Sequence, residues 1–169
     1  MPRESLHIGE LHDKPFGETQ NYLAVNSCGA QRIVKTSYRV IRENGRKDFH
    51  ILYVESGSCC VFYEGECREI FKGQYVLYIP DQKQEYSFSA ETSSVTYWVH
   101  FHGTHAQNIL ADCDLKGGIN TAQNPHEAEK TFRGGCRCFS MGHRIPIFDE
   151  YSVHLVNLIF SRLRASTIR

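Results

Sequence analysis

Between Lys47 and Pro80 the chain reads KDFHILYVESGSCCVFYEGECREIFKGQYVLYIP. Three β-branched, aromatic or apolar runs, His50–Val54, Cys59–Tyr63 and Gln74–Ile79, stand between short turn signals. Ser56-Gly57 separates the first two, Glu64-Gly65 breaks the second from Glu66–Phe71, and Lys72-Gly73 precedes the third. Strands this closely spaced, with glycine turns, form an antiparallel meander. Pro80 ends the last one because it has no N–H for the ladder. The meander predicts one wall of a β-sandwich or small barrel, against which the rest of the chain is placed.

The remaining strands follow from the same pattern. Asn21–Val25 is a candidate short strand, and Cys28-Gly29-Ala30 reads as a turn. Arg32–Arg42 is a candidate strand stopped by Glu43-Asn44-Gly45. Tyr86–Phe88 starts another after the polar stretch 81–85. In Ser94–His102 (SVTYWVHFH), alternation puts Val95, Tyr97, Val99 and Phe101 on one face, which reads as sandwich core. Thr96, Trp98, His100 and His102 share the other face. An indole among hydrogen-bonding groups suits the wall of a polar ligand cavity; an exposed face with one Trp at its edge has the same spacing.

After Gly103 the pattern turns helical. Thr104–Leu110 and Pro125–Phe132 read as helices, the second with Pro in its first turn and Gly134-Gly135 after it. The segment 115–124 reads as loop. Asp149 can cap a last helix, Glu150–Ala165. That helix carries two apolar stripes, one of Tyr151, Leu155, Leu158 and Ile159 and one of Val153, Val156, Phe160 and Leu163. One stripe can pack on the chain's own sheet, and the other then calls for a partner such as a second copy across a two-fold axis. A helix wedged inside its own domain is the alternative.

Composition narrows the function classes. At 169 residues with net charge zero, the chain is one domain with appendages and lacks the basic face of a duplex binder. No run reaches membrane-span length and the first twenty residues lack the apolar core of a signal peptide, so a cytoplasmic location is expected. Seven cysteines at irregular spacing do not form a disulfide framework and read mostly as small buried hydrophobes. Cys136-x-Cys138 has no second Cys/His pair at zinc spacing. No nucleophile elbow or phosphate-cradling glycine loop is present.

Four signatures in order, Asp48-Phe49-His50, Glu55-Ser56-Gly57, Gly73-x6-Pro80 and Tyr97-Trp98-Val99-His100-Phe101-His102-Gly103, resemble the N-terminal effector domain of AraC-type transcription regulators over roughly residues 20–165. The resemblance implies a mainly β fold, a cupin-like antiparallel barrel or sandwich followed by C-terminal helices, one of them mediating homodimerisation. It divides the chain into an arm (1–20), the barrel (21–103) and a helical dimerisation segment (104–169). In that family DNA is bound by a C-terminal pair of helix-turn-helix motifs, which nothing here matches, so a sensor half of a larger regulator is expected. In arabinose-sensing members the sugar stacks on a Trp and is held by an Arg and a Tyr. Those roles fall on Trp98, on Arg42 fifteen residues before Gly57, and on Tyr86 six after Pro80. Thr96 and His100 complete the expected ligand-binding wall, with no cofactor and no metal. The arm would close over the cavity through Phe16 or His12.

The chemistry of these residues points the same way. A sugar or polyol offers an apolar C–H face to Trp98 and hydroxyls to Arg42, Tyr86 and His100. Two other readings compete. A metal-dependent cupin enzyme needs clustered histidines, for which His50, Glu85, His100 and His102 are the candidates. A dimerisation module without ligand needs a plugged barrel, for which Phe49, Tyr53, Phe62 and Tyr63 are the candidates.

Overall fold

The computed structural model describes residues 4–8, 22–142 and 148–163. Ten strands and three helices follow in order: β1 (Glu4–Ile8), β2 (Ala24–Arg32), β3 (Tyr38–Arg42), β4 (Phe49–Ser56), β5 (Ser58–Tyr63), β6 (Glu66–Phe71), β7 (Gln74–Tyr78), β8 (Gln84–Phe88), β9 (Val95–His102), α1 (Ala106–Asp112), β10 (Gly118–Thr121), α2 (Pro125–Gly142) and α3 (Phe148–Leu163). They build a six-stranded sheet, β1-β2-β9-β4-β7-β10, and a four-stranded sheet, β3-β8-β5-β6. The fold is mainly β with helices at the C-terminal end, as the sequence implies.

The meander does not form one wall. β4 pairs with β7 in the larger sheet, from His50↔Tyr78 to Tyr53↔Tyr75, while β5 pairs with β6 in the smaller. Gly57 allows the switch. It turns the chain at φ 70°, and a Cβ there would meet Ser94 Oγ at 2.6 Å. The stretch 32–42 is likewise not one strand. Ile33, buried at the interior, bonds Ser94 O through its N–H at 2.8 Å, and the chain crosses to the smaller sheet before β3 begins at Tyr38.

Three layers result, because the larger sheet is apolar on both faces. Phe49, Ile51 and Tyr53 of β4 join Tyr97, Val99 and Phe101 of β9 in a cluster under the helices. Phe132 of α2 stacks on Tyr53 and Tyr97 with centroids 5.1 and 5.7 Å apart, and Phe160 of α3 meets Phe101 edge-on at 4.9 Å. The Val95–Phe101 face is therefore helix-packed outer surface of the sheet, not sandwich interior. The interior proper holds Leu52, Val54, Val61, Ile70, Val76, Tyr78, Tyr86 and Phe88, with Trp98 packed against it. Of the four plug candidates, Phe49 and Tyr53 lie under the helices, Phe62 lies beneath the Arg39 guanidinium, and only Tyr63 packs on the interior cluster.

Other expectations need correction. Cys28-Gly29-Ala30 lies inside β2, paired with β9 from Cys28↔Val99 to Ala30↔Tyr97, and is no turn. Residues 118–121, expected as loop, add β10 to β7 as an edge strand. Within the expected arm, β1 pairs antiparallel with β2 from Glu4↔Arg32 to Ile8↔Cys28; Phe16 and His12 lie outside the described residues. Cys60 and Cys67, expected reduced, are joined by a disulfide across β5 and β6 with Cα atoms 6.0 Å apart. Cys28, Cys59 and Cys136 are buried thiols as expected.

The last two helices also depart from the pattern. α2 runs through Gly134-Gly135 instead of stopping there, because Gly135 is where α3 comes closest. A Cβ on Gly135 would lie 2.6 Å from Leu155 Cδ1, whereas one on Gly134 would meet nothing within 4 Å. α3 is buried on both stripes: Leu155, Val156, Ile159, Phe160 and Leu163 are all covered, and only Leu158 (45% exposed) remains out among the described large apolar side chains of this helix. The second stripe is thus covered within the chain, which removes the reason given for a partner there; Tyr151 and Val153 are not among the described side chains.

The two glycines make the packing testable. Gly134→Ala should raise stability by about 0.5–1 kcal/mol through helix propensity alone. Gly135→Ala should lose that gain to overpacking against Leu155. Urea unfolding of the pair measures the difference, and equal effects would contradict this α2–α3 contact.

Candidate functional site

The candidate site lies at one end of the interior between the two sheets, and strand alternation delivers its residues. β9 directs Thr96, Trp98 and His100 inward; β4 directs His50 inward, directly opposite His100 in the register. From the smaller sheet, β3 brings Arg42 and β8 brings Gln84 and Tyr86, with Arg42↔Gln84 and Val40↔Tyr86 as register pairs.

A buried carboxylate organises this end. Asp48, fully buried at the start of β4, accepts hydrogen bonds from Asn26 Nδ2 (2.8 Å) and from Arg46 Nε (2.8 Å) and Nη2 (3.3 Å). His100 Nδ1 lies 3.5 Å from its Oδ1. Burial pushes the Asp48 pKa up, but the adjacent His100 Nδ1 and the hydrogen bonds from Arg46 and Asn26 together hold it well below the carboxylate range.

Next to it, the His50 and His100 rings stack with centroids 4.1 Å apart. Burial, together with each ring's cationic neighbours, pushes both imidazoles below the usual histidine range; for His100 the Asp48 carboxylate opposes this without reversing it. His50 Nδ1 lies 3.3 Å from Gln84 Oε1. An amide oxygen only accepts, so the network assigns the His50 proton to Nδ1.

Arg42 closes the cluster from the opposite sheet. Its Nη1 donates to Gln84 Oε1 and to the Tyr86 hydroxyl, each at 3.2 Å. Burial raises the Tyr86 pKa, so the phenol stays protonated, although Arg42 pulls the other way. Gln84 is fully buried and its Nε2 has no hydrogen-bond partner among the described residues; the same is true of Thr96 Oγ1. At this end the turns around Gly45 and Asp81 border an open recess of about 520 Å³ lined by Glu43, Asn44, Gly45, Arg46, Lys47 and Asp81.

Trp98 owes its position to a missing side chain. Gly29 is its register partner on β2, and a Cβ there would lie 2.7 Å from Cη2 of the indole. The ring therefore occupies the place a side chain at position 29 would need, half-buried at the margin of the interior cluster.

The structure thus brings Arg42 and Tyr86 into direct contact, with His100 joined to them through His50 and Gln84, and sets Trp98 and Thr96 further along the same β9 face. Glu85, a candidate metal ligand, points the other way, to the outer face of the smaller sheet, where it pairs with Arg39 and with Lys83 Nζ at 3.1 Å. Among the described residues no group of three His, Cys, Asp or Glu side chains is set to hold a metal ion. Sequence reasoning missed Asp48 and Gln84 as site members. Their signal was available only as an Asp two residues before an inward His, and a Gln two before Tyr86.

A cupin-like sandwich carrying C-terminal helices, with a polar cluster between its sheets, defines a class of ligand-binding domain. The AraC-like ligand binding domain family matches residues 33–151, and the chain belongs to it. Among solved structures, it is similar to the apo form of ToxT K231A from Vibrio cholerae (TM-score 0.54, 12% identity, 84% of this chain and 55% of that one). It is also similar to the AraC-like transcriptional activator CuxR (TM-score 0.51, 10% identity, 89% and 56%). A weaker likeness is to the cupin domain of an XRE-family transcriptional regulator from Enterobacter cloacae (TM-score 0.39, 15% identity, 60% and 94%). The chain spans about half the length of the first two. No curated protein matches it. No described helix is long and apolar enough to cross a membrane.

Two tests address the geometry. Below the ordinary histidine pKa of about 6.5, the unfolded chain takes up protons that buried His50 and His100 refuse, so stability should fall as pH drops from there. The loss should approach about 1.4 kcal/mol per pH unit for each histidine kept neutral. A second loss should follow below about pH 4, where Asp48 protonates only in the unfolded chain. Urea unfolding from pH 7.5 to 5 reads the first slope, and His50→Gln should reduce it; a flat profile would contradict the assignment. Separately, Gly29→Ala should displace the indole and shift its emission to the red, at a cost of about 1–3 kcal/mol. Unchanged emission would show that the ring does not rest on Gly29.

Proposed function

We propose that this chain is the ligand-sensing and dimerisation domain of an AraC-type transcription regulator. A small polar effector, a sugar or polyol, binds between the sheets and controls DNA binding by a C-terminal domain. The observation that carries this reading is the convergence of Arg42 and Tyr86, from two strands of one sheet, on the polar end faced by His100 from the other. Trp98 supplies a flat apolar surface for a ring's C–H face, and Thr96, His100, Arg42 and Tyr86 supply hydrogen bonds. Gln84 Nε2 and Thr96 Oγ1, both buried with no partner among the described residues, support the reading because a buried polar group is ordinarily paired.

The domain acts by binding and not by catalysis. The outward orientation of Glu85 takes away one ligand that the metal-enzyme reading relied on. Homodimerisation through α3 would use the side that carries Leu158. The effector controls the regulator only through its differential affinity for two states. A cytoplasmic location goes with this role.

Trp98 is the only tryptophan, so intrinsic emission reports directly on the site. Titration with sugars and polyols should quench or shift that emission and raise the melting temperature together, by about 2.7 kcal/mol of added stability at 100 times Kd. Trp98→Phe should weaken binding while leaving the fold intact. Stabilisation unaffected by both Trp98→Phe and Arg42→Gln would place the ligand elsewhere and defeat the reading.

A further inference from the structure

The hydrogen-bonding groups at the polar end are unevenly matched. Asp48 is the carboxylate that faces this cluster among the described residues, and it is engaged by Arg46, Asn26 and His100. Arg42 has no such partner: its hydrogen bonds go to the neutral oxygens of Gln84 and Tyr86, and no carboxylate among the described residues forms an ion pair with it. Among the described residues at this end, with both imidazoles held neutral by burial, Arg46 faces the Asp48 carboxylate while Arg42 faces neutral oxygens.

The direction of the hydrogen bonds adds a second constraint. Gln84 Oε1 is occupied by Arg42 Nη1 and His50 Nδ1, both donors, so the amide cannot turn its oxygen toward a ligand. What remains is Nε2, fully buried with both N–H bonds unmet among the described residues. Tyr86 already accepts from Arg42, so its own O–H proton is the group left to offer. Arg42 keeps further N–H groups beyond Nη1. The Arg42–Gln84–Tyr86 corner therefore presents donors to a ligand and little that accepts. A sugar hydroxyl placed there could accept but would leave its proton unpaired. A carboxylate only accepts, matches a guanidinium fork and neutralises the Arg42 charge.

We propose that the effector is an acid, a sugar acid or polyol acid whose carboxylate sits on Arg42, Gln84 Nε2 and the Tyr86 hydroxyl while its C–H face meets Trp98. This rests on the sensor reading given above and sharpens its ligand class.

The test pairs each acid with its uncharged counterpart: glucuronate against glucose, galacturonate against galactose, gluconate against glucitol. Trp98 emission and melting temperature are followed on the full chain at up to about 10 mM ligand. At least one acid should bind at least about tenfold more tightly than its neutral partner. Arg42→Gln should bring the two within about twofold, and Arg42→Lys, which keeps the charge, should retain most of the preference. A neutral compound that binds as well as its acid, or better, overturns the acidic assignment and leaves the sensor reading standing. Silence from all six compounds by both readouts overturns both. Preference for an acid that survives Arg42→Gln unchanged also overturns the proposal, since the carboxylate would then be held elsewhere.

Discussion

The hydrogen-bonded Asp48 carboxylate is the constraint on which the arrangement at the polar end depends. An ionised group that is fully buried costs several kcal/mol unless it is paired and hydrogen-bonded. Asp48 meets that cost by accepting hydrogen bonds from Asn26 of β2 and Arg46 of the turn before β4, with His100 Nδ1 of β9 3.5 Å away. Three segments that are distant in sequence are thereby fixed to one point. His100 takes its place from that contact, His50 stacks on His100, and Gln84 is held between His50 and Arg42. Removing the carboxylate would leave Arg46 and His100 without their shared partner and loosen the whole chain of contacts.

β9 connects this end to the helices. Thr96, Trp98 and His100 face the interior, while Tyr97, Val99 and Phe101 face Phe132 and Phe160. A strand packed on both faces transmits a displacement on one side to the other, since close-packed interiors have little slack. Occupancy near Trp98 and the placement of α2 and α3 are thus felt by the same eight residues. That is a physical route by which an effector at the proposed site would be felt at the helical end of the domain.

Much of this was legible in the sequence where the signal is local. The meander strands, the turn at Gly45 and the Thr96–Trp98–His100 face of β9 followed from alternation and turn residues, and the motif intervals picked out Arg42 and Tyr86, whose side chains meet. What was lost was non-local. Switching of β4, β5, β6 and β7 between two sheets depends on which strand each one pairs with, and a run of apolar residues does not encode its partner. Glycine was ambiguous for the same reason. Gly29 looks like a turn residue, but it is there because an indole from the neighbouring strand lies on it; Gly134-Gly135 looks like a helix stop, but it is where α3 comes close. The two-stripe pattern of α3 was real, and its described members other than Leu158 are covered within the chain, by the sheet and by α2. Asp48 and Gln84 were passed over because a single polar residue beside a motif carries no sign of its burial.

The central claim, that an effector lies between the two sheets against β3, β8 and β9, is tested most directly by amide hydrogen exchange with and without a compound shown to bind. Slowed exchange is expected in 38–42, 84–88 and 95–102, with smaller changes in the outer edge strand β6. Protection confined to α3 or to the outer face of the four-stranded sheet, with β3, β8 and β9 unchanged, would contradict it.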